Sequence, residues 1–279
     1  MPISAEIIAD AWSHSNIRLT TFRCQFPKFI LAELNTHRML SRNSASSRAI
    51  PIKKVIKQVF WDPVIPVRFG MSRAGMQDGG EASPIRRAIM RRIWLLARLP
   101  CLFFALLLLK MRLHKQVANR ILEPWMYVEV IISGTNWRNF FTLRTDKAAQ
   151  PEMQQLALKM LDAMCDSIPR ELSYGDWHIP YKSDNPGLCM KEILDSAVAK
   201  IARVSYNKIE GDLRKDLELA AKLSEAKHWS PFEHVAECMN NHNRYGNFVG
   251  FKQYRQFFTN EDGEGPNRFC PEIFKNKLE

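Results

Sequence analysis

The sequence predicts an α+β fold, because stretches typical of strands and stretches typical of helices both occur along its 279 residues. Residues 18–24 and 127–133 are short and rich in β-branched side chains, which indicates strands. Residues 151–164 and 213–223 instead carry apolar side chains at the helical period. A chain of this length can bury a core as one large domain or as two modest ones.

The first half of the chain contains a polar segment that follows a helical pattern. Residues 27–40 are predicted to be helical, with Ile30 and Leu34 four positions apart on one face. Residues 41–48 then supply four serines, one asparagine and two arginines. Hydroxyl groups and arginine forks together suit a planar or phosphorylated anionic ligand. A solvated loop at a helix end is the alternative interpretation.

The next segments alternate between regular and irregular structure. Residues 50–60 have helical spacing, whereas two prolines exclude a regular element from residues 62–66. Residues 70–83 are rich in glycine and lack an apolar period, which indicates a mobile surface loop.

The most apolar run of the chain is residues 93–109. Arg98 and Pro100 interrupt it, and the remainder, residues 100–109, is too short to span a bilayer. The prediction is therefore a buried helix at an oligomer interface, without membrane insertion, because a helix that is apolar on several faces needs cover.

The second half of the chain contains further predicted helices around a turn-rich segment. Residues 112–124 read as a helix that Pro124 ends, and the methionines after residue 151 read as core residues. Residues 173–190 lack periodicity and are interpreted as a linker, with His178 in a loop. This divides the chain into domains 1–172 and 191–279. Helices at 193–201 and 213–223 and a loop at 260–266 complete the prediction.

Composition limits the classes of partner and compartment. A formal charge of +11 indicates anionic partners. The basic residues are spread over many segments, which does not favour a dedicated nucleic-acid arm. Six scattered cysteines without a Cys-x-x-Cys pair indicate reduced thiols and a cytoplasmic location. Residues 7–12 are too short for the apolar core of a secretory signal.

Four segments resemble one known family. The pattern His-Arg-x-x-Ser-x-Asn-x-x-Ser-x-Arg, from His37 to Arg48, resembles the signature of the flavin-dependent thymidylate synthases. Residues 139–152 and 118–124 are similar to two later segments of that family. Residues 201–206 and 228–234 are similar to its Ala-Arg-Val-Ser and His-x-Ser-x-x-Glu-His segments. A zinc site at 228–234 is not favoured, because its spacing matches neither common zinc motif.

The order of these segments differs from that of the family. The Val-Ser and Phe-Glu-His segments precede the His-Arg motif in the family but follow residues 173–190 here. This order indicates a circular permutation, which domains tolerate when their termini lie close together. Residues 248–255 are also similar in sequence to residues 29–36. In this alignment Arg255 corresponds to Thr36.

The resemblance implies an enzyme with a flavin-dependent thymidylate synthase-like fold, a mixed sheet with flanking helices. Such enzymes transfer a one-carbon unit from methylenetetrahydrofolate to C5 of dUMP, with FAD supplying hydride and NADPH reducing it again. The resemblance also implies a homotetramer with shared sites, small-molecule substrates and no membrane partner. The alternatives are a flavoenzyme that hydroxymethylates dUMP or dCMP, and a basic nucleic-acid-binding protein without catalysis.

The resemblance assigns roles to individual residues. The expected catalytic residues are Arg144, Ser46 and His228. The nucleotide is expected to contact Arg48, Arg120, Arg144, Ser44, Ala45, Ser46 and Glu33. The flavin is expected to contact His37, Arg38, Met39, Asn43, Asn139, Leu143, Ser205, Ser230 and Glu233. No metal is expected.

Several positions depart from the family pattern. Thr36 replaces a flavin-site arginine, and Ala148 replaces a histidine. Ser44 stands where the family often has glutamate, and Glu33 stands where glutamine is usual. Changes beside the pyrimidine could alter the base that the site accepts, because a site built to hydrogen-bond one edge rejects another.

Overall fold

A five-stranded mixed sheet lies at the centre of the computed structural model, which describes residues 3–204, 212–259 and 261. Its strands are β1 (Ser4–Ser13), β2 (Arg18–Pro27), β3 (Ser41–Ser44), β4 (Tyr127–Gly134) and β5 (Arg170–Leu172). They are ordered β3-β4-β2-β1-β5, and only the β1–β5 pair of this sheet is parallel. The predicted strands are confirmed as β2 and β4, whereas the sequence pattern did not predict β1 and β3.

Helices flank this sheet. They are α1 (Leu31–Leu34), α2 (Ile52–Trp61), α3 (Pro84–Lys110), α4 (Lys115–Ala118), α5 (Arg138–Arg144), α6 (Pro151–Asp166), α7 (Met190–Arg203) and α8 (Leu213–Glu225). The predicted helices at 50–60, after 151, at 193–201 and at 213–223 are confirmed by α2, α6, α7 and α8. The α+β class with a mixed sheet and flanking helices is therefore confirmed.

Smaller sheets belong to the C-terminal part of the chain. One consists of β6 (Trp177–His178), β7 (Ala236–Cys238) and β10 (Phe251–Gln253), in the order β10-β7-β6. The other is a hairpin of β8 (Arg244–Tyr245) and β9 (Phe248–Val249). Segment 173–190 contains β6, so His178 is a strand residue and its predicted place in a loop is wrong.

Both faces of the central sheet are covered. Val130 and Ile132 of β4 pack into the same core as Met153 of α6. Ile131 lies between them in sequence and packs instead with Val198 of α7. Because neighbouring strand residues point to opposite faces, β4 is buried between the N-terminal helices and the C-terminal part of the chain. This explains its nearly uninterrupted apolar sequence.

A buried chain of hydrogen bonds joins the C-terminal part to this sheet. His178 Nε2 lies 2.7 Å from Thr21 Oγ1, which lies 2.7 Å from Ser133 Oγ. Ser133 Oγ lies 2.8 Å from His234 Nδ1. Burial lowers the pKa of His178 to about 4 and that of His234 to about 3, so both imidazoles are neutral at pH 7.

Two predicted helices are shorter than expected. The helix predicted at 27–40 is wrong in extent: Pro27 ends β2, a 3-10 turn covers Lys28–Ile30, and α1 spans four residues. The Thr36 hydroxyl donates to the Glu33 carbonyl at 2.7 Å, an alternative bond that competes with helix continuation. The helix predicted at 112–124 is likewise divided into α4 and a 3-10 helix, Asn119–Trp125.

The apolar run at 93–109 lies within α3, where Arg98 and Pro100 do not interrupt the helix. Within the single chain only 11% of its apolar window is buried, so burial at an oligomer interface stays a prediction. By length and composition alone, α3 could cross a membrane.

The segment predicted as a mobile loop at 70–83 has a defined path. Gly70 and Glu81 form an isolated β-bridge, and the amide of Met71 donates to the Gly80 carbonyl at 2.8 Å. Arg68 and Asp78 form an ion pair at 3.0 Å across this turn. The segment therefore forms part of the wall of two cavities, of about 840 and 660 Å³.

Candidate active site

Arg144, the last residue of α5, lies against the turn that follows α1. Its Nε donates to His37 Nε2 at 2.7 Å, and its guanidinium forms an ion pair with Glu33. A weaker contact of 3.5 Å reaches Thr36 Oγ1. One arginine thus holds three side chains that the sequence assigns to, or near, the flavin and the nucleotide.

His37 is held as a neutral imidazole in this cluster. Its Nε2 accepts a hydrogen bond from a guanidinium that is always protonated, so its proton lies on Nδ1. Burial lowers the pKa of His37, and the charges of Arg144 and Arg42 lower it further. The edge of the ring also contacts Phe140, with a centroid distance of 5.0 Å. The imidazole is therefore fixed in orientation and available as a neutral donor.

A cavity of about 240 Å³ opens beside this cluster. Its lining includes most of the flavin residues expected from the N-terminal half, which are His37, Arg38, Met39, Asn139 and Leu143. Arg144 also lines it. The structure thus brings together residues that are about one hundred positions apart in the sequence.

The C-terminal part of the chain reaches the same region through β3. Ser230 Oγ donates to the Arg42 carbonyl at 2.8 Å and lies 3.4 Å from Asn43 Oδ1. Asn43 Nδ2 donates to the Ile201 carbonyl at 2.7 Å. Asn43, His228 and Ser230 line a second cavity of about 360 Å³. The flavin residues expected from the two halves of the chain therefore meet along one strand.

Arg42 is a residue of this site that the sequence analysis did not single out. Its Nη1 donates to the carbonyls of Leu34, Asn35 and His37, at 3.3, 3.3 and 2.8 Å. Its own carbonyl accepts the Ser230 bond, so Arg42 connects the two cavities. The only sequence signal is its place at a variable position of the His37–Arg48 motif.

Glu233 lies at the same junction. Its carboxylate is 3.7 Å from Arg255 Nε, and Arg255 also pairs with Glu261. Among the described residues, Arg255 makes no hydrogen bond with Thr36, so the suggested equivalence of these two positions gains no support. Arg255 instead holds Glu233, and this role is visible only in the structure.

The residues expected at the nucleotide are divided between two further cavities. Glu33 and Arg144 line one of about 660 Å³, and Arg120 lines another of about 840 Å³. Arg68, Asp78, Gln150 and Pro151 line both, so the two cavities adjoin. Both are larger than the two cavities that the flavin residues line.

Arg120 is held next to the serine-rich segment. It pairs with Glu123 at 2.9 Å, and the same carboxylate accepts from Ser47 Oγ at 3.0 Å. Burial raises the pKa of Glu123, but Lys28, Ser47 and Arg120 outweigh this effect and lower it overall. Glu123 therefore remains ionised and keeps Arg120 near residues 46–48.

The serine-rich segment is only partly a surface loop. Ser41 and Asn43 are buried, which contradicts the solvated-loop alternative for β3. The Ala45 amide donates to the Glu129 carbonyl at 2.7 Å, and Ser46 Oγ accepts from the Arg48 amide at 3.2 Å. The Arg48 side chain is exposed and has no ion-pair partner within the described residues.

Some expected residues are not placed in a common cavity. Ser44, Ala45, Ser46 and Arg48 line none of the four cavities above. Ser205 lies outside the described residues, as does the loop predicted at 260–266 except for residue 261. Over the parts of the chain that the structure describes, no cluster of three or more His, Cys, Asp or Glu residues could hold a metal ion.

Comparisons with known proteins identify one family. Residues 9–170, more than half of the chain, match the family model described as thymidylate synthase complementing protein. No curated protein sequence matches the chain. The match includes the His37–Arg48 motif and α5, and it ends before the segments at 201–206 and 228–234.

Solved structures show more distant similarity. The flavin-dependent thymidylate synthase ThyX from Helicobacter pylori, complexed with FAD and dUMP, is 20% identical, with a TM-score of 0.36 over 52% of this chain and 67% of its own. The UMP/dUMP methylase PolB from Streptomyces cacaoi, bound with 5-Br UMP, is 15% identical, with a TM-score of 0.46 over 59% and 89%. The family assignment therefore rests on the match of residues 9–170 to the family model.

Proposed function

Since the chain belongs to the thymidylate synthase complementing protein family, we propose that it is an FAD-dependent thymidylate synthase. It would transfer a one-carbon unit from methylenetetrahydrofolate to C5 of dUMP and release dTMP, with NADPH as the reductant. The proposal includes a cytoplasmic homotetramer, because the resemblance implies sites that subunits share.

The observation that carries this proposal is the contact between β3 and the C-terminal part of the chain. Ser230 and Ile201 bind β3 through the Arg42 carbonyl and the Asn43 amide, at 2.8 and 2.7 Å. The segments that the family has before its His-Arg motif are therefore next to that motif in space, although they follow it in sequence. This arrangement supports a circular permutation of the family fold.

The residues of the two smaller cavities fit the chemistry of FAD. The Arg38 guanidinium is exposed and suits a diphosphate, whereas His37 and Asn139 offer donors to a polar ring edge. The cavity of about 240 Å³ is below, and that of about 360 Å³ is near the lower end of, the range of roughly 300–1,000 Å³ that is usual for drug-sized ligands. A dinucleotide would need both cavities or a second subunit.

Bound and reduced FAD would supply the hydride for the reaction. The protein's own contribution is to orient the pyrimidine and to stabilise charge. Arg144 would lie beside the ring, where its fixed cation would favour negative charge that develops as C5 attacks. Glu33 and His37 would hold the guanidinium in that orientation, since both bind it in the structure.

One contact favours an alternative substrate. Glu33 is a carboxylate where the family usually has glutamine, and its ion pair offsets the charge of Arg144. A carboxylate can accept from the amino group of cytosine but cannot donate to the O4 atom of uracil. A related enzyme that acts on dCMP, or that leaves a hydroxymethyl group, is therefore the second candidate.

The flavin step can be tested apart from turnover. The purified chain is titrated with FAD, and bound flavin is measured by its visible absorbance and its quenched fluorescence. We expect stoichiometric binding and reduction by NADPH. Failure to bind FAD would contradict both candidate enzymes and would favour a nucleic-acid-binding protein without catalysis.

The permutation can be tested by reordering the gene. A chain in which residues 173–279 precede residues 1–172, joined by a flexible linker, restores the order of the family. We expect it to fold, to bind FAD as the natural chain does and to retain the unfolding midpoint within a few degrees. An insoluble or flavin-free product would contradict the permutation.

A further inference from the structure

The outer face of α3 is apolar over most of its length and has no cover within the described chain. At 1.5 Å per residue, its 27 residues extend for about 40 Å. Leu96 is 60% exposed and Phe103 is 61% exposed. The other large apolar side chains exposed on this helix are Ile85, Ile89, Ile93, Leu99, Phe104, Leu106 and Leu107. A contiguous apolar face of this size marks an interaction site.

The charges on this helix are all positive, and one of them, Arg87, pairs with Glu81 just before the helix at 2.9 Å. The helix contains no acidic residue, and Arg86, Arg87, Arg91 and Arg92 are exposed in its first third. Arg98 does not break the apolar part, because it turns inward and donates to the carbonyls of Val59 and Phe60 at 2.7 Å each. The result is a basic end followed by an uncharged face.

Aromatic side chains extend the face at the end of α2. Trp61 is 75% exposed and packs edge-on against Phe60, with ring centroids 4.8 Å apart. The Arg98 bonds keep this end of α2 against α3. Exposed tryptophan beside apolar and basic side chains is typical of helices that lie at a lipid–water interface.

We propose that α3 binds the surface of a membrane that contains anionic phospholipid, with the helix lying in the interface and its arginines at the headgroups. A second copy that pairs through α3 is less suited as the occupant, because this helix offers no acidic side chain to the arginines of the other copy. The apolar face is also wider than the narrow seam that a helix pair covers. This proposal replaces the expectation of no membrane partner and does not depend on the flavin chemistry.

The test is co-sedimentation of the full chain with phosphatidylcholine vesicles, with and without phosphatidylglycerol. We expect binding only to the anionic vesicles. R91Q/R92Q removes two charges and no buried packing, and it should weaken partitioning by about tenfold or more. L96Q/F103Q/L107Q should abolish binding. The control K215Q/K222Q removes the same charge from exposed positions of α8 and should bind as the natural chain does.

Circular dichroism and the urea unfolding midpoint check that each variant is folded. Three results would overturn the proposal. The first is that the natural chain does not sediment with anionic vesicles, and the second is that the control loses as much binding as R91Q/R92Q. The third is that L96Q/F103Q/L107Q changes only the oligomeric state, measured by light scattering. The last result would show that a second copy covers α3.

Discussion

Arg144 is the side chain on which the candidate site is centred, since it contacts Glu33, Thr36 and His37 at once. The resemblance places Arg144 at the pyrimidine, and the structure adds the partners that fix its guanidinium. Neither the ion pair with Glu33 nor the neutral state of His37 follows from the motif. Both depend on the turn after α1 meeting α5, which is a tertiary contact.

R144Q tests this role. We expect kcat/KM for the pyrimidine nucleotide to fall by about 100-fold or more, because removing one preorganised donor at developing charge has effects of this size. The control K147Q removes the same charge from an exposed residue that lines the same cavity. Steady-state kinetics measure kcat/KM for both variants. Equal losses of kcat/KM in R144Q and K147Q would contradict this role, because they would indicate a general effect of charge.

The flavin residues are tested by binding rather than by turnover. N139A and S230A should each weaken FAD binding, because N139A removes an amide from one cavity assigned to the flavin and S230A removes the bond that holds the wall of the other cavity to β3. T142A, an exposed change in the same helix as Asn139, is the control. Flavin retained in both N139A and S230A, measured by fluorescence titration, would show that these assignments are wrong.

At the scale of elements, β3 organises the site, because it pairs with β4 and also receives Ser230 and Ile201 from the C-terminal part. The polar residues from Ser41 to Arg48 predict a binding segment here but do not predict a strand. Four polar residues show no apolar alternation, and the pairing that makes them a strand comes from β4. Periodicity therefore located α2, α6, α7 and α8, whose apolar faces are local signals, and did not locate β3.

N43D tests the connection between β3 and α7. The buried Asn43 amide donates to the Ile201 carbonyl at 2.7 Å, and a carboxylate would bring negative charge against that oxygen. We expect a loss of about 2–3 kcal/mol in the free energy of unfolding. Urea denaturation measures it, with N136D at an exposed position as the control. A loss below 0.5 kcal/mol, roughly the scatter of surface substitutions, would contradict this contact.

The extent of α3 was mispredicted for a physical reason. Proline and arginine were interpreted as interruptions, but Pro100 lies on the exposed side of the helix and Arg98 finds carbonyl partners in α2. The sequence does report that the run is apolar. It does not report that the rest of the chain leaves this run uncovered, which depends on where α2 and the 3-10 helix Asn119–Trp125 pack.

At the scale of the whole molecule, the chain of hydrogen bonds from His178 to His234 holds the C-terminal part on the sheet. Both histidines have folded-state pKa values below the ordinary 6.5, at about 4 and about 3. Below pH 6.5 these two histidines become protonated in the unfolded chain but stay neutral in the folded chain. Stability is therefore present at neutral pH and is lost as the pH falls from about 6.5 toward 4.

This linkage gives a measurable pH dependence. Between pH 7.5 and pH 5.0 each of the two histidines should cost about 2 kcal/mol of unfolding free energy. Urea denaturation at both pH values measures the difference. Equal stability at pH 7.5 and 5.0 would show that His178 and His234 are not buried as neutral groups.

The most direct test of the proposed function is the mass of the nucleotide product. The purified chain is reconstituted with FAD and incubated with NADPH, methylenetetrahydrofolate and either dUMP or dCMP, and the nucleotides are analysed by mass spectrometry. The proposal predicts dTMP from dUMP. A hydroxymethyl nucleotide, or reaction with dCMP alone, would establish the second candidate instead. A flavin-loaded chain that modifies neither nucleotide would contradict the proposed activity and leave only the family and its fold.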